Sequence, residues 1–171
     1  ELIRGMIVQS GNDACIALAE TIAGSEEAFA ELMNREAKRL GLASTHFVNS
    51  TGLSHPQHYS TAQDLAALAA AVIRDFPEHY PLYSQKEYRY NNITQFNRNR
   101  LLWTDPSVDG MKTGYTENAG YCLVTSARRG ERRLVSVVLG TASEAMRAAE
   151  SQKLLNYGFQ AYDGVRLYTG K

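Results

Sequence analysis

The sequence predicts an α+β fold, because helical patterns fill its first half and strand patterns fill most of its second half. Residues 1–83 carry apolar side chains at helical spacing. Residues 84–162 contain short apolar runs separated by turn residues, followed by one last helix. The chain has 171 residues, of which 44% are hydrophobic, so one domain can bury a core. We therefore expect a helical subdomain beside an antiparallel sheet on which the last helix packs.

Three helices are expected before residue 42. The first carries Leu2, Ile3, Met6 and Ile7 at helical spacing but no capping residue, so we expect its start upstream. Residues 10–13 interrupt it, and their polar side chains could cap a second helix over about 13–23. Ser25 is placed to cap a third helix. Gly41 is placed to end that third helix.

A fourth helix is expected after a loop over residues 42–59. Ser60 and Gln63 have the spacing of a capping box for a helix over 61–75. This segment is apolar on nearly every side, so we expect it deep in the fold.

The second half predicts a hairpin, three further strands and a helix. Asn91-Asn92 would turn the hairpin, and residues 129–131 would join two of the later strands. The strand from Leu134 is apolar on both faces, which is typical of a strand covered on both sides. The three strands are expected over 108–115, 120–128 and 134–140, and the helix over about 143–157, ending at Gly158.

Composition excludes several classes of function. Lys plus Arg and Asp plus Glu each total 18, and this balance argues against a nucleic-acid binder. The longest apolar run, residues 65–73, is too short to span a bilayer. Cys15 and Cys122 show no CxxC spacing, so neither a disulfide framework nor a compartment can be inferred from them.

A lysine, a hydroxyl and a glycine follow one another on the strand from Val108. Because side chains alternate along a strand, Lys112 and Gly114 would share one face, where a substrate could approach the backbone. The Lys112 ammonium could then hold a carboxylate, and Thr113 could reach the same anion at a twisted strand edge. The alternative is an ordinary strand end that enters a glycine turn.

A serine and an asparagine stand two residues apart between the first two helices. The Ser10 hydroxyl can pass a proton, and the Asn12 amide can both donate and accept hydrogen bonds. Taken alone, this pair is more simply explained as a helix cap.

Together, the two motifs resemble the second and third signatures of the penicillin-binding, active-site-serine enzymes. Their surroundings are similar to the low-molecular-mass D-alanyl-D-alanine carboxypeptidases over about residues 1–162. The stretches that carry this resemblance are residues 2–14, 97–103, 108–116 and 148–159. The resemblance implies a transpeptidase-like fold, no cofactor, and substrates that are peptidoglycan stem peptides ending in D-Ala-D-Ala. It also implies inhibition by β-lactam antibiotics.

The resemblance also assigns roles to residues. Ser10 would relay a proton to the leaving amine, Asn12 would bind the substrate peptide, and Lys112 with Thr113 would face the terminal carboxylate. Gly114 would leave room for the substrate, and the backbone N–H of Tyr115 would be one oxyanion donor. Two arginines, Arg147 and Arg98, are further candidates for the carboxylate, although each could instead be structural.

One family signature is missing from this sequence. None of the twelve serines has a lysine three positions later, as the family's nucleophile requires. We therefore expect the nucleophile and its base upstream of Glu1, and we expect this chain alone to form no acyl-enzyme. The catalytic domain, incomplete at its N-terminus, would span 1–162, and residues 163–171 would begin a β domain or a linker. A signal peptide and a C-terminal membrane anchor would belong to the longer protein, which would act in the periplasm or otherwise outside the cytoplasm.

Other functions stay open at this point. A D,D-endopeptidase would use the same residues, and a class A β-lactamase would need a glutamate that does not occur between Glu36 and Glu78. A catalytically dead binding module is the remaining alternative. A metal site at His55 and His58 is not expected, because no acidic residue or cysteine stands close to complete it.

Overall fold

The structure is a computed structural model that describes residues 1–165. The chain begins with a short α1 (Leu2–Arg4) that continues as a π-helical turn (Gly5–Gln9). Three longer helices follow, namely α2 (Asn12–Ala23), α3 (Glu26–Arg39) and α4 (Ala62–Asp75). The start of a β domain or linker, expected over residues 163–171, lies mostly outside the described residues.

The second half forms two antiparallel sheets. A 3₁₀ turn (Tyr80–Ser84) leads to a hairpin of β1 (Glu87–Tyr90) and β2 (Ile93–Phe96). A one-turn helix α5 (Leu101–Thr104) precedes the main sheet, in the order β3-β4-β5. The remaining elements are β3 (Val108–Thr116), β4 (Gly120–Arg129), β5 (Arg132–Thr141) and α6 (Glu144–Ala161).

The main sheet is covered on both faces, as the apolar pattern of its last strand predicts. One face packs against α6 through a core that includes Leu123 and Leu155. The other face packs against α4 and the 3₁₀ turn, where Met111 lies with Ala69 and Tyr80. The predicted α+β class, with helices first and then an antiparallel sheet carrying a helix, is confirmed.

The predicted capping box of α4 is wrong. Thr61, not Ser60, caps the helix, and its hydroxyl accepts a hydrogen bond from the Asp64 N–H at 3.2 Å. The Ser60 hydroxyl instead shares a hydrogen bond of 2.8 Å with Thr45. The helix is also less deeply placed than expected, because its side with Ala67 faces solvent. An alanine methyl group costs little to expose, so an alanine-rich surface does not show which side is buried.

The predicted end of the last helix at Gly158 is also wrong, because α6 continues to Ala161. A Cβ at Gly158 would lie 2.7 Å from the Leu134 Cδ1 on β5. The glycine therefore allows the helix to approach the sheet closely and does not end the helix.

Candidate active site

All eight residues for which the sequence predicts a catalytic or substrate-binding role lie around one cavity of about 780 Å³. The cavity opens between the π-helical turn, the loop after α3, the C-terminal half of β3 and the start of α6. The eight residues are Ser10, Asn12, Arg98, Lys112, Thr113, Gly114, Tyr115 and Arg147. Residues from opposite ends of the chain thus converge on one open cleft.

Ser10 contacts Lys112 and does not cap α2. The N-cap of that helix is Gly11, which supplies no side-chain cap. Ser10 has a left-handed backbone (φ 58°, ψ 44°), which is uncommon outside glycine. Its hydroxyl accepts a hydrogen bond from the Lys112 Nζ. The capping alternative is therefore wrong for Ser10, whose unusual backbone aims its hydroxyl into the cavity.

Asn12 is the first residue of α2 and is exposed at the cavity wall. Within residues 1–165 its side-chain amide makes no hydrogen bond, so both of its polar atoms are open to a ligand. The neighbouring Asp13 carboxylate accepts the Ala14 N–H at 2.9 Å, which supports the first turn of the helix.

The Lys112 ammonium is mostly buried beside Ser10. Its Nζ also donates to the Thr113 carbonyl at 2.9 Å. Burial, reinforced by the positive charges of Arg98 and Arg147, lowers the pKa of Lys112 to about 8, although Cys15 acts in the opposite direction. About one-tenth of the amine is then neutral at pH 7, so Lys112 can both release and accept a proton near neutral pH.

The strand that carries Lys112 is held by a buried asparagine. Asn99 is fully buried, and its Nδ2 donates to the Gly110 carbonyl at 3.1 Å. Asn97 accepts the Asn99 N–H at 2.9 Å and donates to the Gln85 carbonyl at 3.0 Å. The two asparagines therefore brace this loop, and the arginine between them, Arg98, is exposed at the cavity.

Arg147 is buried on α6 and is not a solvated residue. Its guanidinium donates to the Gly114 carbonyl at 3.2 Å and to Glu144 at 3.2 Å, and it lies over the Tyr121 ring. Burial lowers its pKa, but a guanidinium stays charged at neutral pH. The end of β3 that Arg147 contacts is the end where Thr113 and Gly114 line the cavity.

Several cavity residues were not singled out from the sequence. Glu144 and Tyr121 line the wall near Arg147, and Cys122 faces the cavity beside Gly114. The three-residue spacing of Glu144 and Arg147 on one helix could have revealed that pair. The rings of Tyr115 and Tyr121 lie 4.3 Å apart, and only the strand register shows this. Cys15 also lines the cavity, where it is half-buried, and burial raises the pKa of its thiol.

The histidines of the loop after α3 support its structure. The His58 Nδ1 accepts the Val48 N–H at 3.1 Å, and the His55 Nδ1 accepts the Gln57 N–H at 3.1 Å. Among residues 1–165, no group of three or more His, Cys, Asp or Glu side chains could hold a metal ion.

Across the same residues, no helix combines the length and the apolar character needed to cross a bilayer.

This arrangement can move a proton and bind an anion. A hydroxyl and a lysine of low pKa share a hydrogen bond, and two arginines with a strand edge lie beside them. On an α+β scaffold, this combination is typical of the penicillin-binding, active-site-serine enzymes. Comparisons with known proteins then give the family. The sequence profile described as D-alanyl-D-alanine carboxypeptidase matches residues 1–143, and the chain belongs to this family.

Individual relatives agree with this assignment. The chain is 53% identical to the D-alanyl-D-alanine carboxypeptidase DacC of Escherichia coli strain K12, over 96% of this chain and 42% of that protein. Penicillin binding protein 5 from Haemophilus influenzae superposes with a TM-score of 0.90 at 50% identity, over 93% of this chain and 47% of that one. Penicillin-binding protein D2 from Listeria monocytogenes, solved in an ampicillin-bound form, has a TM-score of 0.86 at 34% identity, over 92% of this chain and 66% of that one. The chain thus spans less than half the length of its curated Escherichia coli relative.

Proposed function

We propose that the full-length protein is a serine-type D-alanyl-D-alanine carboxypeptidase that removes the terminal D-alanine from peptidoglycan pentapeptides. The observation that carries this proposal is the hydrogen bond from Lys112 to Ser10, at a cavity that Arg98 and Arg147 also line. The family membership of the chain supports it. Peptidoglycan lies outside the cytoplasmic membrane, so the proposed place of action is extracytoplasmic.

The proposed chemistry proceeds through an acyl-enzyme. A serine outside these 171 residues gives its proton to its neighbouring base and attacks the carbonyl of the penultimate D-alanine, and the amide C–N bond then breaks. The leaving amine takes its proton from Ser10, which Lys112 can resupply because its pKa is near 8. Water then attacks the ester, which releases the shortened peptide and restores the serine.

The remaining cavity residues bind the substrate in this proposal. Arg98, Thr113 and Arg147 face the terminal carboxylate, and Arg98 is exposed to receive it. The Asn12 amide binds the peptide backbone, and Gly114 leaves space for it on the strand edge. The Tyr115 N–H is one of the two oxyanion donors.

A β-lactam that mimics the D-Ala-D-Ala end would acylate the same serine. Slow release of that adduct is expected, because Glu144 is the single carboxylate that lines the cavity among residues 1–165. One of its oxygens is 3.2 Å from Arg147 and the other is 3.3 Å from Arg100, so both are held by guanidiniums and neither is free to position a water. This observation argues against the β-lactamase alternative.

The test is product analysis with the full-length protein and an N-acylated peptide ending in D-Ala-D-Ala. Free D-alanine, released at a rate that falls by at least about 100-fold in Ser10→Ala, is the expected result. Turnover that is unchanged by Ser10→Ala would refute the assignment. Absence of turnover in the wild-type protein would favour a catalytically dead binding module.

A further inference from the structure

A second cavity, of about 500 Å³, adjoins the catalytic cavity. It lies between the end of β2, the helix α5 and the first residue of α6. Arg98 and Glu144 line both cavities, so they form the wall that the two spaces share. A ligand bound against Arg98 in the first cavity is therefore within reach of the second.

The second cavity is positively charged. Arg98 and Arg100 line it, and within residues 1–165 Arg98 forms no ion pair. Its one carboxylate, Glu144, is shared between Arg100 at 3.3 Å and Arg147 at 3.2 Å. The lining thus holds two guanidiniums and a single carboxylate, and the surplus positive charge favours an anion.

Two aromatic side chains supply the apolar part of the wall. Phe96 is 62% exposed and Trp103 is 44% exposed, so both rings are open to a ligand. Aromatic walls beside guanidiniums suit a short apolar stem that ends in a carboxylate.

We propose that this cavity extends the site of the leaving residue and that, among peptides whose leaving residue is larger than D-alanine, it selects an acidic side chain. The inference rests on the proposed function, in which the carboxylate of the leaving residue lies at Arg98. The side chain of that residue would then extend over Trp103 towards Arg100. The reaction is the same as above: the amide C–N bond breaks, the leaving amine takes a proton, and water adds to the acyl carbon.

Binding can be measured on this chain without turnover, since we expect it to form no acyl-enzyme. Trp103 is its only tryptophan, so its fluorescence emission reports on this cavity. The two probes are N-acetyl-D-alanyl-D-glutamate and its neutral isostere, N-acetyl-D-alanyl-D-glutamine. We expect both to change Trp103 emission and the acidic peptide to bind about fivefold more tightly at low salt. Arg100→Gln should remove this preference. The matched control is Arg74→Gln, which removes an equally exposed, carboxylate-paired arginine on α4 and should keep the preference.

Equal affinity for the two peptides, or a preference that survives Arg100→Gln, would overturn the proposal. Arg100→Glu provides a further check, since it should reverse the preference towards a leaving D-lysine. Arg100 is exposed, with 73% of its side chain accessible, so these substitutions leave the core untouched.

Kinetics of the full-length protein separate this inference from the proposed function. The ratio of kcat/KM for the D-glutamate and D-glutamine peptides should exceed about 3 and fall to about 1 in Arg100→Gln. Release of D-alanine from D-Ala-D-Ala together with a ratio near 1 would overturn the subsite alone. Absence of release from every peptide would overturn both proposals.

Discussion

Replacing the buried lysine of the cavity by methionine should stabilise the fold at neutral pH. Burial lowers the Lys112 pKa from 10.5 to about 8, which corresponds to roughly 3 kcal/mol at about 1.4 kcal/mol per pKa unit. The change Lys112→Met removes this cost and keeps a side chain of similar length. It also removes the hydrogen bonds to Ser10 and to the Thr113 carbonyl, worth about 1 kcal/mol each. The net expectation is a gain of about 1 kcal/mol at pH 7.

The pH dependence is the sharper part of this prediction. Below pH 8 the lysine is charged in both the folded and the unfolded chain, so the full cost of burial is present. Between pH 8 and 10.5 the folded chain has lost the proton that the unfolded chain still holds, so stability rises with pH. Between pH 7 and pH 10, the free energy of unfolding of the wild-type chain should therefore rise by about 2.5 kcal/mol relative to that of Lys112→Met.

Urea unfolding followed by far-UV circular dichroism measures this difference. Both chains are compared at pH 7 and at pH 10, so that tyrosine titration, common to both, cancels. A difference between the two chains that changes by less than about 0.5 kcal/mol across this range would refute a depressed Lys112 pKa. Loss of activity alongside a gain in stability would identify a charge that is kept for function.

Three other changes test how the site is built. Ser10→Gly should be about 1 kcal/mol more stable than Ser10→Ala in urea unfolding, since φ at Ser10 is 58°; equal stabilities would contradict a strained backbone. Asn99→Ala should cost about 2–4 kcal/mol, because it leaves the buried Gly110 carbonyl without its donor; a cost below about 1 kcal/mol would show that this bond is dispensable. Gly110→Ala should cost about 1–3 kcal/mol, because its Cβ would lie 2.5 Å from the Tyr80 hydroxyl. Tyr80→Phe should recover part of that loss in a double-mutant cycle, and strict additivity would exclude the clash.

Much of the fold follows from local sequence. Ser25 caps α3, with its hydroxyl 3.1 Å from the Ala28 N–H, as its position before the helix predicts. Asn91 and Asn92 both adopt positive φ in the β1–β2 turn, which short polar side chains tolerate. Local chemistry determines these features, so a single sequence contains the information.

Other features depend on distant partners and could not be predicted. Taken alone, the local pattern at Ser10 predicts a helix cap, but Ser10 contacts Lys112, which is 102 residues away in the chain. Gly158 was expected to end a helix, but its role depends on Leu134 of β5. The burial of Arg147 against the Gly114 carbonyl likewise needs the assembled sheet and helix. From the sequence, only the family resemblance indicates that the motif at Ser10 and the motif at Lys112 lie in one site.

The central claim is that Ser10 and Lys112 serve a nucleophilic serine that is not among the residues of this chain. Intact-mass and peptide mapping of the full-length protein after reaction with penicillin test this claim most directly, in the wild type and in Lys112→Met. We expect one covalent equivalent on a serine outside these 171 residues, formed at least about 100-fold more slowly in the variant. An adduct on any of the twelve serines in this sequence, or equal rates in the two proteins, would contradict the account.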